Sequence, residues 1–213
     1  MNLETESYLE QVKLWPAEGR HILAQYDDDT IIVYQAFRSP TGQYAAEHGT
    51  FGPGFSYSRM SWVKPNFLWM MYRSGWGTKV GQETVLALRI RQVFFDSLLA
   101  QAVPSLWDCG EFATEDEWSR ALKTSEVRLQ WDPDHHPSGA RLPRRAVQLG
   151  LRGRVLKSYG CNELIEVMDV SGFVADQRAR LAVAGVAGLQ TPRERVYRPR
   201  DPAIAGRLQL AVD

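Results

Sequence analysis

The most apolar runs in the chain are β-branched and aromatic. Thr30-Ile-Ile-Val-Tyr-Gln-Ala-Phe, bounded by the acidic turn Asp27 to Asp29 and other turn formers, predicts a buried strand. Glu83 to Ile90 predicts another, and between them Phe55 to Val63 reads as a strand or an extended active-site segment stopped by Lys64-Pro65. Val127-Arg-Leu-Gln-Trp alternates with period two and ends at Asp132-Pro133, and Ala146 to Leu151 and Leu164 to Val170 add two later strands. The helices are short. Pro40 to His48 is closed by Gly49, a residue type suited to the left-handed C-cap. Asn66 to Arg73 places apolar residues at 67, 68, 70 and 71 and ends near Gly75-Trp76-Gly77, and Thr114 to Leu122 opens with a capping-box pattern. Glu6 to Lys13, Phe94 to Ala102, Arg152 to Tyr159 and Phe173 to Val183 complete the helical set.

This pattern predicts an α+β fold: one domain of mixed or antiparallel strands with flanking short helices. Residues 1–17 form an N-terminal helix or arm, 18–183 the domain, and 184–213 a Gly/Ala- and then Arg/Pro-rich tail expected to pack loosely. The polar, Pro/His/Arg-rich stretch from Asp132 to Arg145 reads as an exposed loop, with His135-His136 in a surface turn.

Composition adds exclusions. With 213 residues, 44% hydrophobic and 23% charged, the chain can bury a core and is not disordered as its main state. Cys109 and Cys161 form no C-x-x-C, which argues against a disulfide scaffold or zinc ribbon and for a reducing cytoplasm. The N-terminus has no apolar signal core, and no stretch approaches the roughly 18 apolar residues of a membrane span, so no membrane association is expected. No metal signature is present either. The net charge of zero divides unevenly: residues 1–140 carry 12 basic and 18 acidic side chains, and 141–213 carry 13 and 7, or −6 and +6 by subtraction. The split suggests a basic face able to meet a nucleotide or other phosphate-bearing ligand, and reads equally as opposite charges solvated across one fold. Oligomeric state is not legible.

The densest chemistry lies in Arg59 to Gly77, where three Trp, one Tyr, two Arg and one Lys fall within 19 residues. Aromatic faces beside guanidinium groups can stack a planar base and hold phosphates together. Phe67, Leu68, Met70 and Met71, with Trp69 and Trp76, read equally well as core, whereas Arg59, Lys64, Tyr72 and Arg73 need partners. Gln130-Trp131-Asp132 at a strand end and Arg144-Arg145 ahead of Gln148 also interrupt the apolar pattern, and read equally as structural hydrogen bonding. No phosphate-binding glycine motif and no Ser/His/Asp or Cys/His spacing is present.

The runs Gln25-Tyr-Asp, Thr30 to Phe37, Arg59 to Gly77, Val127 to Pro133 and Arg145 to Leu151 resemble the domain-of-unknown-function family numbered 4291 over about residues 18–178. That resemblance implies a cytoplasmic single-domain protein. The order of elements is also similar to the first half of the ADP-ribosyltransferase fold. There, a first strand carries an NAD-binding side chain, a second a Ser or Tyr, and a late strand a Glu that orients the nicotinamide ribose. Position by position, the resemblance puts Tyr34 or Gln35 on the first site, Ser61 with Arg59 on the second and Gln148 near the third. Because Gln148 is not a carboxylate, Glu163 or Glu166 would have to substitute for catalysis. It implies NAD as substrate, Tyr34, Ser61 and Gln148 as catalytic candidates, Gln35 and Arg59 as NAD-binding candidates, and a nucleic acid or protein acceptor; Lys64, Trp69, Tyr72, Arg73 and Trp131 join the NAD-binding candidates by their aromatic and cationic chemistry. The alternatives are a non-enzymatic nucleotide or nucleic-acid binding module that stacks bases on Trp62, Trp69, Trp76 and Trp131 and holds phosphates with Arg59, Arg73, Arg144, Arg145 and Arg152, and an interaction protein whose aromatic block is core.

Overall fold

The computed structural model describes residues 3–107 and 111–211, so Cys109 lies outside the described residues. Strand β4 (Thr30–Phe37) pairs with β6 (Thr84–Arg91), and β6 with β10 (Leu164–Asp169), in a three-stranded antiparallel sheet. A second sheet is built on β9 (Arg141–Leu151). One edge of β9 pairs with β8 (Val127–His135), and the other with β5 (Ser61–Val63) and the short parallel β2 (Gly19–Arg20). Strand β7 (Val103–Pro104) extends β8 in parallel. Two further pairs, β1 (Thr5–Ser7) with β11 (Gln190–Pro192) and β3 (Ile22–Ala24) with β12 (Arg195–Tyr197), tie the chain ends together. The chain is a single α+β domain with mixed sheets.

Alternation along β4 divides it between two cores. Ile31 and Val33 join Leu86, Leu88 and Ile90 in one cluster, closed by Phe95, Leu98 and Leu99 of α4 (Gln92–Gln101). Ile32 and Tyr34 join Val85 and Ala87 in the other, covered by α3 (Phe67–Ser74) and by Val174 of α7 (Ser171–Ala184). Both faces are buried, so the run is apolar without interruption until Gln35. Each such aliphatic side chain contributes on the order of 1.5–3 kcal/mol through burial.

The two sheets meet through one backbone bridge. The Tyr34 N–H donates to the Lys64 carbonyl at 2.7 Å, and the Lys64 N–H donates to the Tyr34 carbonyl at 3.2 Å. Beyond this bridge the C-terminal end of β4 and the start of β5 no longer pair. The other helices, α1 (Tyr8–Gln11), α2 (Ser39–His48), α5 (Glu115–Thr124), α6 (Gly153–Ser158) and α8 (Pro202–Arg207), are short, and α6 runs on into a π-helical turn, Tyr159–Glu163. Their ends follow the predicted signals: Gly49 takes φ 67° after α2, and Thr114 Oγ1 accepts from the Glu117 N–H at 3.2 Å ahead of α5.

Four expectations change. The expected N-terminal helix is one turn preceded by β1, because Thr5–Ser7 is drawn into pairing with β11. The strand expected from Phe55 shrinks to Ser61–Val63; Phe55 instead stacks on Phe51, with centroids 4.1 Å apart. The expected exposed loop 132–145 is largely a β-hairpin, in which Asp134, His135 and Arg144 are buried. The burial of Asp134 and Arg144 is compensated by their pairing, since Arg144 Nη2 lies 2.6 Å from Asp134 Oδ2. The segment after Ala184 is not loose, since it supplies β11, β12 and α8 and buries Leu189, Thr191, Glu194 and Tyr197.

Glu194 explains that docking. Its side chain, on a residue 1% exposed, accepts from the Phe67 N–H at 2.6 Å and from Asn66 Nδ2 at 3.2 Å. Asn66 Oδ1 accepts from the Trp69 N–H at 2.6 Å, so a terminal-segment carboxylate and a local cap together satisfy the start of α3. Gln11 Oε1 accepts from the Glu194 N–H, and Trp15 Nε1 donates to its carbonyl. Burial holds the Glu194 pKa well above its ordinary 4.5 against the lowering effect of the Phe67 N–H. A raised carboxyl pKa means that the folded chain binds this proton more readily than the unfolded chain. The stability it contributes is present at low pH and is lost as pH rises from 4.5 through the folded value. Glu194→Ala, which strands the α3 donors, is expected to lower unfolding free energy by about 3 kcal/mol in urea titrations. Glu194→Gln is expected to lose less and to remove this pH dependence.

Candidate functional site

A cavity of about 830 Å³ opens where the sheets part beyond the Tyr34–Lys64 bridge. Its walls come from the end of β4 (Gln35 to Phe37), from Arg59 to Trp62 and Lys64, from Trp69, Met70 and Arg73 of α3, from Gln82, and from Gln130, Asp132 and Gln148 of the hairpin. Gly150 shapes this wall. A Cβ there would lie 2.7 Å from Met60 Sδ and 3.0 Å from the Trp62 ring, so its absence lets both side chains lie against β9.

On the hairpin wall Gln130 and Gln148 are direct cross-strand partners, and both donate to Asp132. Gln130 Nε2 bonds Oδ1 and Gln148 Nε2 bonds Oδ2, each at 2.8 Å. The carboxylate is thereby fixed in plane with one amide on each oxygen. On the opposite wall Gln35, 3% exposed, is held from behind. Tyr159 Oη, in the π-helical turn, donates to Gln35 Oε1 at 2.9 Å, and Gln35 Nε2 donates to the Trp62 carbonyl and to Ser61 Oγ at 3.2 and 2.8 Å. A carbonyl can only accept, so the amide orientation is set, and Ser61 Oγ receives a hydrogen bond while keeping its own proton to donate.

The charge is uneven. Arg59, Lys64 and Arg73 face the cavity with Asp132 as the one carboxylate among its lining residues, an excess of two positive charges. Among the described residues the Arg59 and Arg73 guanidinium groups have no hydrogen-bonded or ionic partner, and Lys64 Nζ makes no hydrogen bond. Lys64 is 5% exposed, and burial, helped by the neighbouring Arg73 charge and opposed by Asp132, lowers its pKa to about 8. A cation-lined cavity without matching anions is suited to a phosphate-bearing ligand.

The sequence candidates divide accordingly. Gln35, Arg59, Ser61, Lys64, Trp69, Arg73 and Gln148 are brought together around the cavity. Tyr34 is not: it is fully buried on the opposite face of β4 against Phe67, its hydroxyl unpaired. Tyr72 stacks on His135 on the outer side of α3, with centroids 3.5 Å apart. Trp131 packs against the core, one residue out of phase with Gln130 and Asp132. His135, expected in a surface turn, is 2% exposed and packs its ring against those of Tyr72 and Trp69. Glu163 and Glu166, the expected substitute carboxylates, are paired with Arg91 and Arg89 at 3.1 Å each and do not line the cavity. Arg144 and Arg152 are committed within the fold, Arg144 to Asp134 and the Pro16 carbonyl, Arg152 to the carbonyls of Lys123 and Ser125. Asp132 is the site residue that the reading of the sequence undervalued. Its signal was the alternation in Val127 to Asp132, which puts Gln130 and Asp132 on the polar face of β8. Tyr159 and Gln82 carry no such signal.

Fold and site define an α+β domain with a cation-lined polar cavity between two parting sheets. The chain belongs to the family described as Domain of unknown function (DUF4291), whose family model matches residues 21–197 and so reaches through β12. No curated protein matches the chain. Among the described residues no cluster of His, Cys, Asp or Glu is placed to hold a metal ion, and no helix is long and apolar enough to cross a membrane.

An anion bound beside Lys64 favours its ammonium form, so its pKa rises on binding and the complex takes up protons, most strongly between pH 8 and the raised value. Titration of sulfate, which does not itself ionise in this range, in buffers of different ionisation enthalpy is expected to show this uptake, and affinity is expected to fall as pH rises above 8. Lys64→Arg is expected to abolish both effects, and Arg59→Ala or Arg73→Ala to weaken binding about tenfold each.

Proposed function

We propose that the chain is an ADP-ribosyltransferase-like protein that binds NAD in this cavity, releases nicotinamide and passes ADP-ribose to an acceptor. The observation that carries this reading is the adjacency of three strands. Gln35 on β4, Ser61 on β5 and Gln148 on β9, which sequence resemblance puts on the first, second and third functional strands, lie on successive neighbours joined by the Tyr34–Lys64 bridge and the β5–β9 ladder.

The chemistry of the walls supports it. Loss of nicotinamide leaves positive charge on the ribose, so a site for this reaction needs a fixed negative group there. Gln148 cannot supply it, but Asp132 can, and Gln148 with Gln130 holds that carboxylate in one orientation. Gln148 is thus a positioning residue in this reading and Asp132 the electrostatic one. Arg59, Arg73 and Lys64 would meet the diphosphate. Ser61 Oγ–H, free to donate because Gln35 already donates to it, would meet an acceptor oxygen such as a carboxamide carbonyl.

Calorimetry with NAD and chromatographic measurement of nicotinamide release test the proposal. The wild type is expected to bind and to release nicotinamide. Asp132→Asn, which keeps the shape, is expected to lose release by at least about a hundredfold while affinity and melting temperature stay close to wild type. Absence of NAD binding, or undiminished release by Asp132→Asn, would overturn it.

A further inference from the structure

A second cavity, of about 360 Å³, adjoins the first through a shared wall of Ala36, Phe37, Arg59, Met60 and Ser61. Its own walls come from the start of α2 and the loop before β5 and carry Arg38, Thr41, Phe55 and Ser56. Arg38 Nε donates to Thr41 Oγ1 at 3.2 Å, and its remaining guanidinium nitrogens have no partner among the described residues. Arg59, on the shared wall, is likewise unpartnered. Phe55 is fixed by stacking on Phe51 and by the edge of Phe37, with centroids 4.1 and 6.0 Å away. Among the described residues no Asp, Glu or His lines this space.

These features narrow what can bind. Without a carboxylate, the cavity offers nothing to pair a cationic lysine or arginine side chain, and no lining group suited to take a proton from a neutral nucleophile. Two guanidinium groups favour a doubly charged anion, and the rings of Phe37 and Phe55 with the Met60 thioether favour a planar base beside it. The first cavity already lies in the size range of small-molecule sites, so the second need not hold part of the same ligand.

We infer that the second cavity is an acceptor subsite for the phosphate monoester of a nucleotide. As a transfer site the inference rests on the NAD reading of the first cavity. The step needs no base. A phosphate oxygen, already anionic, donates a lone pair to the ribose C1 carbon, and the bond from that carbon to the nicotinamide nitrogen breaks with its electron pair left on nicotinamide. No proton moves. Ser61 and Arg59, common to both cavities, stand where donor and acceptor would meet.

The phosphate monoester belongs either to a free mononucleotide or to the end of a nucleic-acid strand, and the test separates these. Purified protein with NAD is offered AMP and short oligonucleotides ending in 5′-phosphate, 3′-phosphate or hydroxyl groups, and products are read by mass spectrometry. ADP-ribosyl adducts are expected on phosphate-bearing acceptors, with hydroxyl-ended strands unmodified. Arg38→Ala is expected to reduce adduct formation at least tenfold while NAD affinity stays within twofold. Equal modification of hydroxyl-ended strands, no effect of Arg38→Ala, or an equal loss of NAD affinity in that variant would overturn the subsite. Fluorescence anisotropy without NAD separates the two proposals. Phosphate-dependent oligonucleotide or AMP binding that Arg38→Ala weakens tenfold supports the subsite even if NAD fails to bind. NAD cleavage with neither binding nor modification of any phosphorylated acceptor removes it and leaves the first reading intact.

Discussion

Two backbone hydrogen bonds between Tyr34 and Lys64 are the constraint on which the rest of the molecule turns. Among the described residues they are the one backbone bridge between β4 and the β5 segment, so the two sheets are pinned together there and then part. A strand pair that ends inside a fold leaves unpaired backbone and space that other elements must fill or solvent must reach. Here the space is lined by polar side chains. Lys64 belongs to both features, since its backbone forms the bridge while its ammonium group faces the cavity.

The cavity is held from three sides by interactions that cost stability if broken singly. Glu194 and Asn66 satisfy the first N–H groups of α3, which sets the position of Trp69 and Arg73. Tyr159, from the π-helical turn, orients Gln35 and through it Ser61. Gln130 and Gln148 orient Asp132. In each case a buried neutral or carboxylate group is kept because its partners are satisfied, while Arg59 and Arg73, which have no partner among the described residues, face the cavity. That division, preorganised polar groups around charges that folding itself did not use, is what supports reading the cavity as a candidate ligand site.

Charge along the sequence proved a poor guide to charge in space. The basic excess after residue 140 is drawn down by acids from the first part of the chain: Arg144 pairs with Asp134, Arg193 with Glu4, Arg195 with Glu6 and Arg207 with Glu111. The cations that face the two cavities come instead from Arg38 and from Arg59 to Arg73. Pairings of this kind join residues up to 189 positions apart, as between Glu6 and Arg195, and no composition window can register them.

The sequence by itself determined the elements whose signals are local. The strand Thr30–Phe37, the glycine stop after His48, the cap at Thr114 and the cationic–aromatic block from Arg59 to Gly77 were all legible, because propensity, capping and alternation act within a few residues. Only the tertiary structure decided which polar residues became site and which became scaffold. Tyr34 and Gln35 are adjacent and equally eligible in sequence, yet the pleat sends the tyrosine into a core and the glutamine to the cavity. Asp132 and Glu166 are both strand carboxylates, but Arg89 neutralises Glu166 whereas two amides hold Asp132 at the cavity wall. A side chain's role here depends on the partner that long-range packing brings to it, and that partner is set by the register of strands distant in sequence.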